Sequence, residues 1–135
     1  MKDKYLRFGQ YLRKKRLADP RELSMKEVGE HLGFTQQYMS LVENGNKRPF
    51  DGEVLEKLAK FLNLSDEETA LMFDIAGREN QDVPYDIADT LMHEDVGDLI
   101  RYATRQTKAG FIKEDAWKKF IREQEEERLQ ANEGD

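Results

Sequence analysis

Residues 25–45, MKEVGEHLGFTQQYMSLVENG, constrain the fold more than any other part of the 135-residue chain. The stretch predicts two short helices joined by one tight turn. Ser24 is placed to N-cap the first helix, and Glu27 three positions on completes a capping box. Gly33 ends that helix, because glycine takes positive φ without a Cβ penalty and lets the chain reverse. Thr35 caps the second helix, which runs to Glu43, and Asn44-Gly45 stop it. Val28, Leu32, Phe34, Met39 and Val42 fall where they share one core. Gly29 lies between them, where two crossing helices need a small residue. Together these features give helix-turn-helix geometry.

The second helix carries the functional signal. If Met39 and Val42 point inward, helical spacing sends Gln36, Gln37, Ser40 and Leu41 outward on one face. A glutamine amide can bond both the N7 and N6 groups of adenine. Two adjacent glutamines at a helix N-terminus suit the part of a recognition helix that enters the major groove. The alternative is a solvated pair, and the surrounding motif favours base or phosphate contact. Asn46-Lys47-Arg48-Pro49 follows directly as a basic loop. Lys47 and Arg48 are candidates for the phosphate backbone, where they would fix orientation without reading sequence. The alternative there is a solvated turn.

Gly33 to Gly45, GFTQQYMSLVENG, resembles the lambda-repressor-like, XRE (Cro-type) helix-turn-helix family. TQQ followed by Glu-Asn-Gly is similar to the lambdoid phage repressors. The resemblance extends from Phe8 to Leu64, under half the chain. It implies that Gln36 and Gln37 read bases and that Tyr38 and Asn44 approach phosphates. The position of Leu41 is often polar in that family and contacts a base. Leucine cannot hydrogen-bond, so a thymine methyl group would be its partner. Ser24 and Thr35, at the two helix N-termini, join the expected backbone contacts. The resemblance also implies a structural ion pair between Arg16 and Glu43, tying the first helix to the recognition helix. It implies repression as a dimer on a palindromic site of double-stranded DNA. The residues alone imply DNA binding.

Charge divides the chain as such a reading needs. Residues 1–50 carry 11 Lys/Arg against 6 Asp/Glu, a balance of +5, and residues 51–135 carry 11 against 22, a balance of −11. Phosphate binding needs local positive charge rather than a basic whole chain. The acidic part either discourages non-specific DNA binding or simply keeps the chain soluble.

The remaining sequence predicts helices throughout. Residues 4–18 form the first, with Tyr5, Phe8, Leu12 and Leu17 as its apolar stripe, and Asp19-Pro20 break it. Residues 51–62 form a fourth helix. Ser65 and Glu68 make a second capping box for a fifth, which runs to Ala76 and stops at Gly77. The expected architecture is all-α. A five-helix lambda-repressor-like DNA-binding domain covers 1–77, a polar linker covers 78–84, and a helical region covers 85–135. Helices are expected at 86–92, 96–107 and 113–130, with the terminal ANEGD frayed. Trp117, Phe120 and Ile121 share one face of the last helix and must pack on something. Either the other C-terminal helices or a second copy would serve, so this region is the expected homodimer or protein-partner contact.

No catalytic grouping is evident. The chain has no cysteine, no Ser-His-Asp arrangement and no phosphate-cradling glycine loop. Its histidines, His31 and His93, have no metal-ligand neighbours at useful spacing, so neither metal nor cofactor is expected. No signal segment or membrane span is visible, which makes the cytosol the expected location. Two other functions fit the same residues. An antitoxin would use the acidic half to mask a toxin. A protein-interaction module would keep the fold without using DNA.

Overall fold

The computed structural model describes residues 3–133; Met1, Lys2 and the last two residues of the terminal ANEGD lie outside that range. Among the described residues all regular structure is helical. The helices are α1 (Phe8–Ala18), α2 (Met25–Leu32), α3 (Gln36–Glu43), α4 (Gly52–Phe61), α5 (Asp66–Asn80), α6 (Tyr85–Met92), α7 (Val96–Lys108) and α8 (Glu114–Glu133). None is long and apolar enough to cross a membrane. The chain divides into two compact units, Met1–Ala88 and Asp89–Asp135.

In the first unit α1 to α5 enclose one core, built on Phe8, Tyr11, Leu12, Val28, Met39, Val42, Leu58, Met72 and Ile75. The α2–α3 pair is set by local chemistry. Ser24 Oγ accepts from the Glu27 amide at 3.0 Å, and Glu27 Oε1 accepts from the Ser24 amide at 3.1 Å. Gly33 sits in the left-handed region at φ 86°. Thr35 Oγ1 accepts from the Tyr38 amide at 3.1 Å. Each contact satisfies a helix-end group that has no partner within its helix.

Three expectations are corrected. The first helix does not start at residue 4. A single 3-10 turn spans Asp3–Tyr5, and α1 begins at Phe8. Its buried stripe is therefore Phe8, Tyr11 and Leu12, while Tyr5 and Leu17 are exposed. Next, Gly77 does not stop α5, which continues to Asn80 and is capped by Gln81 in the left-handed region. Gly77 is buried. The last turn of α5 holds Arg78 and Glu79, which both reach back toward the start of α1. The Arg78 guanidinium donates to the carbonyls of Lys4 and Leu6 at 2.9 and 3.1 Å. Glu79 Oε1 accepts from the Phe8 amide at 2.8 Å, so a carboxylate sits at the α1 N-terminus. Finally, α8 continues through Ala131–Glu133, where fraying was expected.

The second unit is a helical hairpin of α7 and α8, preceded by the end of α6. Trp117 Nε1 donates to Thr107 Oγ1 at 2.8 Å, which ties α8 back onto α7. Arg101 donates to the carbonyl of Leu91. No large apolar side chain of this unit is fully buried among the described residues.

Candidate nucleic-acid interface

The face rests on how α3 is held. Gly9 of α1 packs directly on the end of α3, where an added Cβ would lie 2.4 Å from the Glu43 carbonyl oxygen and 2.5 Å from that of Val42. Only glycine permits this approach. A Cβ on Gly29 would lie 2.8 Å from the Phe34 carbonyl oxygen in the turn and 2.9 Å from Met39 Cγ, so α2 and α3 cross closely as well. Beneath the helix Phe34, Tyr38 and Phe50 cluster, with ring centroids 4.8 Å apart for Phe34–Tyr38 and 5.3 Å for Phe34–Phe50. Such packing fixes the rotation of α3 about its axis.

Arg16 and Glu43 lock the same helix electrostatically. Arg16 Nε donates to Glu43 Oε2 at 2.8 Å, and Arg16 Nη2 donates to Oε1 at 3.0 Å. The remaining arm, Nη1, donates to the Leu23 carbonyl at 3.0 Å. Both residues are buried, at 8% and 9% exposure. The hydrogen bonds to Glu43 outweigh desolvation and push the Arg16 pKa further up. A planar fork bonded through all three of its nitrogens ties α1 to α3, and a buried charge that loses its partner is left uncompensated.

With α3 so placed, its residues separate cleanly. Met39, Val42 and Glu43 are buried, while Gln36 and Gln37 are exposed. Leu41 is 38% exposed. Ser40 is half-buried, and its hydroxyl oxygen lies 3.4 Å from the Asn44 amide nitrogen. Tyr38 is also half-buried, its ring committed to the aromatic cluster. Ser24, Thr35, Asn44, Lys47 and Arg48 are exposed. Arg48 donates to the Asn80 carbonyl at 3.4 Å, which holds the loop after α3 near the end of α5.

The loop from Asp19 to Ser24 was legible as a break and a cap, but nothing in the sequence showed how tightly it is held. Arg21 donates to both Asp19 carboxylate oxygens, at 2.9 and 2.8 Å. Those bonds hold the Asp19 carboxyl at about 2. The Arg21 guanidinium also lies 4.8 Å from the Phe61 ring centroid, and that ring stacks on His31 at 4.0 Å. An Asp-x-Arg sequence carries no periodicity, so nothing local points to this lock. Gly9 was equally silent, since a glycine inside a helix does not say what approaches it.

Residues 7–72 match the family model described as a helix-turn-helix domain. Over those residues the first unit is thus similar to helix-turn-helix domains. No curated protein and no protein of solved structure matches the chain. The match begins at the residue before α1 and ends within α5. Every part of the α3 lock therefore lies inside the matched residues. Trp117, Phe120 and Ile121 lie outside them, in the second unit. There Trp117 is half-buried against α7, while Phe120 and Ile121 are 51% and 50% exposed.

Proposed function

We propose that this chain is a sequence-specific DNA-binding transcriptional regulator of the XRE type, a repressor that acts as a dimer on a palindromic operator. The recognition element is Thr35–Glu43. One observation carries the reading: Gln36, Gln37 and Leu41 stand exposed on the helix whose C-terminal end is clamped by the buried Arg16–Glu43 pair. A recognition helix must present flexible polar tips from a rigid axis, because a helix free to rotate reads nothing. Gln36 and Gln37 bond base edges, Ser40 assists, and Leu41 packs on a thymine methyl group.

Ser24, Thr35, Tyr38, Asn44, Lys47 and Arg48 hold the phosphates around that helix. Ser24 and Thr35 use an oxygen lone pair for capping, which leaves each hydroxyl hydrogen to donate. The local balance of +5 over residues 1–50 attracts the backbone, and the acidic remainder repels it. One recognition helix covers only a few base pairs, so two copies read half-sites about one helical turn apart. A dimer seated over a promoter excludes polymerase from it. The site of action is the cytosol.

Selection of bound sequences from a random DNA pool tests this reading. A two-fold symmetric consensus is expected, bound more weakly as salt rises, with a slope of about 0.9 per phosphate contact. No enriched sequence at moderate salt would overturn it.

A further inference from the structure

We propose that the open face of the α7–α8 hairpin pairs with the same face of a second copy of this chain, with the two α8 helices antiparallel. This deepens the reading above, on which it rests only for the need for two copies. A two-helix hairpin buries one seam and leaves the outer side of that seam open. Here Leu99, Ile100 and Ala103 of α7, with Ala116, Trp117 and Phe120 of α8, line an apolar groove of about 480 Å³. Leu99 is 71% exposed and Phe120 51%. Val96 and Tyr102 continue the exposed apolar surface along α7. Contiguous apolar surface of this kind on a chain with 37% charged residues marks a protein contact.

The charge pattern of α8 names the occupant. Residues 113–122 carry 4 Lys/Arg against 2 Asp/Glu, a balance of +2, whereas residues 123–133 carry 1 against 5, a balance of −4. A parallel pair would set like charges together. An antiparallel pair sets the basic half of each α8 beside the acidic half of the other. Lys119 and Glu123 are four residues apart and border Ala116 and Phe120 on the groove side of the helix. In a pair crossing near Ile121, Lys119 meets the partner's Glu123, and symmetry makes the contact twice. An interface that is complementary to itself in this way is isologous, the arrangement that closes at two subunits. The resulting four-helix layer supplies the burial that one hairpin lacks.

The test is sedimentation equilibrium on the full chain without DNA, across the micromolar range. The wild type is expected to be a dimer. Leu99→Glu, at an exposed position that leaves the monomer intact, should weaken it about 30-fold or more. Lys119→Glu should weaken it too. Adding Glu123→Lys should restore it, because the swap re-creates the antiparallel match. A wild-type monomer, as a groove reserved for a foreign protein would give, overturns the proposal. So does a dimer indifferent to Leu99→Glu, or a charge swap that restores nothing. The measurement needs no DNA, so its outcome is separate from that of the sequence selection.

Discussion

The two units of this chain use helices in opposite ways. In the first, five helices enclose one core, and Val28, Met39, Leu58 and Ile75 are 0% exposed. In the second, two helices lie side by side, and Leu99, Tyr102 and Phe111 are more than 60% exposed. Both have sound local helix chemistry. What differs is the number of layers. A helix stripe is buried only when a second layer covers it, and α7–α8 provides one layer alone. Regular helices are therefore not evidence of a finished fold.

The sharpest break of this contrast is at the buried pair. Arg16→Met should cost about 3–5 kcal/mol, because Glu43 is left charged and buried without its partner. Urea unfolding followed by circular dichroism would measure it. Loss of DNA binding with full stability retained would instead make Arg16 a DNA contact.

Core truncation comes next. Ile75→Ala should cost about 2–5 kcal/mol, since the residue is fully buried. Leu99→Ala, at concentrations where the chain is monomeric, should change stability by less than about 0.5 kcal/mol. Similar losses at both positions would erase the distinction between the units.

The smallest effect is a pH dependence seated in the first unit. Lys15 donates to Glu68 at 2.6 Å and holds that carboxyl at about 2, below its ordinary 4.5. Asp19 is held at about 2 by Arg21. Both folded values are depressed, so the unfolded chain takes up protons first. Their stabilisation is complete above the ordinary carboxylate range and is lost as pH falls through about 4 towards about 2. Melting temperature should fall across that window, and Lys15→Met should shallow the slope. An unchanged slope in that variant would place the dependence elsewhere.

These contrasts also mark what the sequence could disclose. Residues 24–45 were legible because every device there is local. A serine and glutamate three apart, a glycine after an apolar residue and a threonine before a polar turn each act within one helical turn. Arg78 and Glu79 were illegible for the opposite reason. Their partners, Lys4, Leu6 and Phe8, lie more than 70 positions away, and beside Gly77 they read as linker. Tyr5 misled because its periodicity assumed a helix from residue 4, whereas α1 starts at Phe8, and Leu17 lies within α1 but faces solvent. In the candidate site, spacing gave the outward face of α3. It could not give the Gly9 contact or the Asp19–Arg21 lock, which depend on elements brought together by folding.

The central claim is that the face of α3 reads base pairs. The most direct measurement is titration of wild type and Gln37→Ala against the selected site and against single base-pair variants of it. The account predicts that Gln37→Ala loses about 1–3 kcal/mol on the selected site and tolerates any pair at one position of each half-site. An equal loss on every sequence, or no loss on any, would contradict it.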